Sequence, residues 1–108
     1  LDSPGAFSTV KSPVGSRSSY YKYPLILDAK LDKAAFTNRL IDDFGVETGN
    51  IFYPPCHMQG IYRKLGACTY SSLSVAEEVL ARTITLPMHV GLSDRDVAFV
   101  VESVKAAA

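Results

Sequence analysis

The sequence has little of what marks a membrane protein or a protein that binds polyanions. Its longest apolar runs, PLIL and AFVV, fall far short of the roughly 20 residues that a transmembrane helix needs, and its start carries no secretory signal. Eleven basic and eleven acidic residues balance each other, so the charge predicts neither a nucleic-acid partner nor a membrane surface. These absences predict a soluble, cytoplasmic protein.

Cysteine is scarce, which excludes a disulfide scaffold. The two cysteines, Cys56 and Cys68, form no CxxC pair, and their spacing to His57 and His89 matches no compact zinc module. We expect both thiols to be reduced and Cys56 to be a small buried hydrophobe. Glycine-rich phosphate-binding patterns of the GxGxxG and GxxxxGKS/T types are also absent. The residues therefore predict no metal site and no catalytic machinery of a familiar type.

The remaining composition, 47% hydrophobic and 20% charged over 108 residues, is typical of one small globular domain. Residues 1–19 are rich in Ser, Pro and Gly, and we interpret them as a linker or an arm that lies on another domain. Arg17 and the serines around it could contact a phosphate, but a mobile polar arm explains this composition equally well. The chain begins without Met and ends directly after a helical pattern, so we expect it to be a fragment of a longer polypeptide.

Strand and helix signals alternate over residues 20–108. Residues 20–27, rich in aromatic and β-branched side chains, are predicted as a strand. Asp32 is predicted to cap a helix that Gly45 ends. Residues 51–53 are predicted as a second short strand that two prolines terminate. The apolar stripe of the helix comprises Phe36, Leu40, Ile41 and Phe44.

The second half contains a short predicted helix over residues 57–65, closed by Gly66, and two further helices. Each of these two begins with a serine that is followed three residues later by an acid, which is the pattern of a capping box: Ser74 with Glu77, and Ser93 with Asp96. A third strand is predicted over residues 83–86. The last helix presents Val97, Val100, Val101 and Val104 at helical spacing.

Three short strands with helices between them predict an α/β (α+β) two-layer sandwich, in which a small three-stranded sheet carries helices on one face. The predicted element order is β-α-β-α-α-β-α. The other face of the sheet would be left open to a second domain.

The segment YPPCHMQGIY, residues 53–62, is the most distinctive candidate site. Tandem prolines hold the backbone extended and force the chain to leave the sheet where His57 begins. An imidazole at that point could bind a polar ligand or move a proton near neutral pH. It could equally open the short helix and hydrogen-bond locally, and the residues alone leave both interpretations open.

Three stretches resemble, in order, the C-terminal part of the pyridoxal-phosphate-dependent nucleotide-sugar aminotransferases of the DegT/DnrJ/StrS family. They are SSYYKYPLILDAKLDKAAFTNRLIDDFGVETG, YPPCHMQGIYRKLG and AEEVLARTITLPMHVGLSDRDVAFVVESV. The most specific pieces are the YPP-x-H-x-Q pattern and the combination of LPMH with GLS. The resemblance implies that residues 20–108 are the small C-terminal domain of a fold-type I aminotransferase, whose large N-terminal domain lies outside this chain.

The resemblance also implies roles for individual residues. Tyr53, His57 and Gln59 would contact the nucleotide sugar, whereas His89 would be structural. No catalytic or cofactor-binding residue is expected in this chain, because Lys22, Lys30, Lys33, Lys64 and Lys105 do not lie in the family's Schiff-base motif. Pyridoxal phosphate would be bound by the full-length enzyme, which would use an amino-acid donor and form a homodimer. The fragment alone is expected to be inactive.

Two alternatives stay open at this point. The chain could be a stand-alone, non-catalytic domain that binds a nucleotide sugar or a partner chain. It could also belong to a sugar dehydratase, since the family includes dehydratases in which a histidine elsewhere replaces the lysine. A native polypeptide several times longer than this chain would exclude the first alternative, and the Schiff-base position of the large domain would decide the second.

Overall fold

The fold is a three-stranded antiparallel sheet with helices packed against it. The computed structural model describes residues 5–65 and 72–108. The strands are β1 (Phe7–Thr9), β2 (Tyr23–Leu27) and β3 (Thr83–Leu86), and the helices are α1 (Lys33–Phe44), α2 (Gly60–Leu65), α3 (Ser74–Arg82) and α4 (Asp94–Ala107). A short 3-10 helix spans Cys56–Met58. The strands lie in the order β1-β2-β3, so β2 is central.

One face of the sheet carries the hydrophobic core. Leu27 of β2 lies opposite Phe7, and Leu25 lies opposite Ile84, so alternation places these four side chains on the same face. The helices α1 and α4 cover that face. Their buried residues in the core cluster are Phe36, Leu40, Val104 and Ala107. The predicted two-layer sandwich with a small three-stranded sheet is therefore confirmed.

Helix α1 has the boundaries that its sequence predicts. The Asp32 carboxylate accepts from the backbone N–H of Ala35 at 3.0 Å and satisfies one of the open donors at the helix start. Gly45 ends the helix with φ 66°, a left-handed conformation that glycine adopts without a Cβ penalty. The predicted apolar stripe is narrower in the structure, because Leu40 is buried and Ile41 is 46% exposed.

Two predicted strands differ from the observed ones. The strand predicted over residues 20–27 begins only at Tyr23, because Tyr20 has φ 50°. The strand predicted over residues 51–53 is wrong, since Phe52 has φ 41° and a left-handed residue cannot continue a strand. The chain instead touches the sheet edge through a single bridge between Gly49 and Thr85. A Cβ at position 49 would lie 2.7 Å from the Thr85 hydroxyl oxygen, so this close approach requires glycine.

The first strand of the sheet, β1, comes from a segment without a strand signal. Residues 7–9, in the part predicted as a linker or arm, form β1 and pair with the central strand. This part of the segment belongs to the sheet. The described element order is β-β-α-α-α-β-α, with the 3-10 helix before α2, rather than the predicted order. The division of the chain into an arm and a domain stays a prediction.

The two predicted capping boxes have different outcomes. At α4, the Ser93 hydroxyl accepts from the N–H of Asp96, and the Asp96 carboxylate accepts from the N–H of Ser93. At α3, the cap position is Leu73, whose side chain cannot accept, and Ser74 is already the first helical residue, so the box predicted for Ser74 and Glu77 is wrong. The predicted helix end at Gly66 lies outside the described residues. Within the described residues, no helix has both the length and the apolar character needed to cross a membrane.

The capping box also shifts an ionisation equilibrium. The Ser93 hydroxyl and backbone N–H both donate to the Asp96 carboxylate and hold its pKa below the ordinary value. Because folding lowers this pKa, ionised Asp96 stabilises the folded chain above the ordinary carboxyl pKa. That contribution is lost as the pH falls through the lowered value.

Replacement of Ser93 by alanine is expected to lower the free energy of unfolding by about 1 kcal/mol, because the first turn of α4 loses its cap. The matched control is Ser74→Ala, which removes a serine that caps nothing and should change stability by less than about 0.5 kcal/mol. Urea denaturation of both variants measures the difference. Equal losses in the two variants would contradict the assignment of Ser93 as the cap.

Candidate functional site

A compact loop carries the three residues that the sequence singles out. Pro55 is buried, and its carbonyl accepts from the N–H of Met58 at 2.9 Å, which starts the 3-10 helix. The Cys56 carbonyl accepts from the N–H of Gln59 at 3.1 Å and closes it. Helix α2 begins at the next residue. Local hydrogen bonds thus hold the backbone of the loop, and two of its side chains, those of His57 and Tyr53, contact helices of the domain.

His57 is the first of these side chains. Its Nε2 lies 2.8 Å from Oε1 of Glu77, which belongs to α3 and is twenty positions away in the sequence. The His57 side chain is 12% exposed and that of Glu77 43%, so the pair lies at the edge of the fold and is only partly accessible to solvent. The loop is therefore tied to α3 by a contact that no local pattern predicts.

The carboxylate also decides which ring nitrogen of His57 carries a proton. An ionised carboxylate can only accept, so Nε2–H donates to Glu77 in both the neutral and the charged ring. Such a bond fixes the tautomer and the orientation of the ring, as carboxylate partners do for histidines in many sites. Glu77 thus acts as a positioning residue for His57.

Tyr53 is the second side chain that reaches the fold. The ammonium of Lys33, at the start of α1, lies 5.2 Å from the centre of the Tyr53 ring, within the range of a cation–π interaction. The Tyr53 ring is nevertheless 48% exposed. One side of the loop is thus held against α1 while an aromatic surface remains accessible to a ligand.

Lys33 is held by more than the ring. Its Nζ donates to Oδ1 of Asn50 and to the backbone carbonyl of Thr83, both at 2.8 Å. Burial lowers the pKa of the Lys33 ammonium, because removal from water disfavours the charged form. Lys33 therefore joins α1, β3 and the turn before the loop at one point.

The other residues singled out by the sequence lie differently. Gln59 is exposed, so its amide can meet a ligand. Cys56 is exposed and free, and the prediction that it is a buried hydrophobe is wrong: it starts a 3-10 helix with its side chain outside the core. His89 is exposed, and its Nδ1 accepts from the N–H of Gly91 at 3.2 Å. The candidate site thus comprises Tyr53, His57 and Gln59 on one loop, with Lys33 and Glu77 behind two of them.

Sequence patterns alone missed Lys33 and Glu77. Glu77 matched the capping-box pattern, which gave no indication that its carboxylate would bond to His57 instead. Lys33 carried a weak signal: it is the first residue of a helix, where the macrodipole disfavours a cation. A lysine at such a position needs another reason to be there, and the contacts with Asn50, Thr83 and Tyr53 supply it.

The described residues offer no centre for a metal ion, and Lys33 is not a suitable lysine for pyridoxal phosphate. No group of three or more His, Cys, Asp or Glu residues within 5–65 and 72–108 could hold a metal ion. A lysine that binds pyridoxal phosphate needs a free amine and an acid or base for the pyridine nitrogen. The amine of Lys33, however, is engaged by Asn50 and Thr83. Lys33 therefore does not fit this cofactor.

Comparison with known proteins gives the family. A sequence profile of the DegT/DnrJ/EryC1/StrS aminotransferase family matches residues 2–105. The chain belongs to this family. The match covers β1 as well as the later elements, so the segment that contains β1 is part of the family's sequence pattern. No curated protein sequence matches the chain.

Two solved structures resemble this aminotransferase-family chain. The aminotransferase TlmJ from Streptoalloteichus hindustanus is 35% identical, with a TM-score of 0.78 over 97% of this chain. The sugar aminotransferase CalS13 from Micromonospora echinospora shares the fold, with a TM-score of 0.75 over 94% of this chain at 21% identity. The match covers 26% of TlmJ and 25% of CalS13, so the chain spans about a quarter of the length of either structure.

Proposed function

We propose that the chain is the C-terminal portion of a pyridoxal-phosphate-dependent aminotransferase that transfers an amino group to a nucleotide-linked keto-sugar. The observation that carries this proposal is the family match over residues 2–105. In this proposal, the domain helps to close the substrate cleft of the complete enzyme and to shape its dimer. The donor is an amino acid, typically glutamate, and the enzyme acts in the cytoplasm.

The loop provides the substrate contacts in this proposal. The exposed ring of Tyr53 packs against the sugar, a surface that aromatic side chains with a polar tip suit well. His57, oriented by Glu77 at 2.8 Å, offers a ring whose orientation is set before the substrate arrives. Gln59 adds an amide donor and acceptor for sugar hydroxyls or phosphates. These three residues bind and orient the substrate, and none of them is assigned a catalytic role.

The cofactor belongs to another part of the polypeptide in this proposal. None of the lysines named above lies in the family's Schiff-base motif, so the Schiff-base lysine and the phosphate contacts are expected in a large N-terminal domain. Pyridoxal phosphate would act there as the electron sink of the amino transfer. The 108-residue chain alone is consequently expected to be inactive.

The test begins with the native polypeptide that contains NIFYPPCHMQGIYR. We expect its intact mass to be several times 11.7 kDa and the purified protein to form 2-oxoglutarate from glutamate when a nucleotide-linked keto-sugar is present. The matched control omits the sugar. A native chain near 11.7 kDa, or formation of more than one equivalent of 2-oxoglutarate per active site without the sugar, would refute the proposal, since only the first equivalent can form while the cofactor holds the amino group.

A further inference from the structure

A second feature of the surface is a basic cleft between the segment after β1 and the start of β2. Its volume is about 330 Å³, within the range of small-ligand sites. Three cations line it, Lys11, Arg17 and Lys22, together with Ser12 and other hydroxyl-bearing residues, and none of the described lining residues is acidic. Such a lining favours an anion with several oxygen atoms.

The segment that carries Arg17 is folded into turns. Both the N–H and the hydroxyl of Ser16 donate to the carbonyl of Pro13, at 3.1 and 2.7 Å. On the other side of Arg17, the Ser18 hydroxyl accepts from the N–H of Tyr20 at 3.1 Å. Local hydrogen bonds on both sides of Arg17 therefore shape the backbone that carries it.

Hydrogen bonds connect the cleft to the candidate substrate loop. Lys22 lines the cleft, and its Nζ donates to the backbone carbonyl of Asn50 at 3.0 Å. The side chain of the same asparagine accepts from Lys33, the lysine that lies beside the Tyr53 ring. Lys22 and Lys33 thus bond the same asparagine, and this shared contact connects the cleft to the loop that carries Tyr53.

We propose that this cleft binds the diphosphate of the nucleotide-linked substrate and directs the sugar towards Tyr53. The proposal rests on the function proposed above. The Arg17 guanidinium matches two phosphate oxygens with two parallel N–H groups, and the lysines add point charges. Tyr20 also lines the cleft and is exposed, so its ring offers a face on which a nucleobase can stack.

The test measures ligand binding to the complete polypeptide by isothermal titration calorimetry. The probes are uridine diphosphate, thymidine diphosphate, inorganic diphosphate, uridine and pyridoxal phosphate. Arg17→Gln should raise the Kd for a nucleoside diphosphate about tenfold, since it removes hydrogen bonds to a charged group. The same variant should leave weak uridine binding unchanged. Added salt should weaken the wild-type affinity more than that of the variant.

Lys22→Gln is the second variant, and Lys30→Gln is the matched control. Lys30 is exposed and does not line the cleft, yet its replacement removes the same charge. Unchanged affinity in Arg17→Gln and Lys22→Gln, an equal loss in Lys30→Gln, or no binding of either nucleoside diphosphate to the wild type would overturn the proposal. Competition by pyridoxal phosphate alone would assign the cleft to the phosphate of the cofactor and overturn it too.

The design separates this proposal from the proposed function. An active aminotransferase whose KM for the nucleotide sugar is unaffected by Arg17→Gln would leave the function standing and reject the cleft. A polypeptide that binds nucleoside diphosphates through Arg17 but aminates no nucleotide-linked sugar would support the cleft as a diphosphate site and reject the function.

Discussion

Leu40→Ala is expected to lower the free energy of unfolding by about 2 to 5 kcal/mol, the range found when a buried leucine is truncated. Leu40 has no exposed surface and belongs to the cluster in which α1 and α4 meet the sheet. Its removal would leave a cavity between the two layers, where neighbouring groups are held by the sheet and cannot readily close the gap. For a small domain, this is a large part of the total stability.

The adjacent residue of the same helix provides the control. Ile41 belongs to the same predicted stripe but is 46% exposed. Ile41→Ala should therefore cost less than about 1 kcal/mol, because little surface leaves a packed environment and alanine favours the helix. Chemical denaturation followed by circular dichroism gives both values. A loss in Ile41→Ala as large as in Leu40→Ala would contradict the packing of α1 described here.

The elements that the sequence predicts well are those with complete local signals. Asp32 and Gly45 bracket α1 with both of its caps, and Ser93 with Asp96 starts α4. Each signal acts within one turn of helix, so the residues alone determine it. The strands are harder to predict because pairing is non-local. Residues 7–9 become β1 only because β2 is available as a partner, and three residues in a Ser- and Pro-rich segment carry no strand pattern of their own.

In the candidate site, too, the local features were predictable and the non-local contacts were not. Its loop is conspicuous in the sequence because two prolines precede a histidine. The single helix predicted over residues 57–65 is wrong, because extended Gln59 separates a 3-10 helix over Cys56–Met58 from α2. The contacts behind the loop were not predictable, since Lys33 reaches Tyr53 from twenty positions away and Glu77 reaches His57 from as far on the other side. Which residues of α1 and α3 face the loop depends on how these helices pack in the folded chain, and no local sequence pattern specifies that packing.

His57→Gln in the complete enzyme is expected to reduce kcat/KM by about 10- to 100-fold, the size expected when a hydrogen bond to a polar or charged ligand group is lost. The change removes the imidazole but leaves a side chain of similar polarity. Glu77→Gln should have a smaller effect, about 3- to 10-fold, because the amide oxygen can still accept from Nε2–H while the charge that fixes the ring is gone. The order of the two effects follows from Glu77 acting through His57.

His89→Gln is the control for this comparison, because His89 is exposed and its Nδ1 accepts from Gly91 in its own turn. Its activity should equal that of the wild type. A role of His57 in folding alone would predict that stability and kcat/KM fall together, so thermal unfolding is measured for each variant. The substrate role predicts a rise in KM for the nucleotide sugar, with KM for glutamate and the melting temperature nearly unchanged. In a double variant, Glu77→Gln should add little to His57→Gln, since a positioning residue has no effect once the ring that it positions is absent.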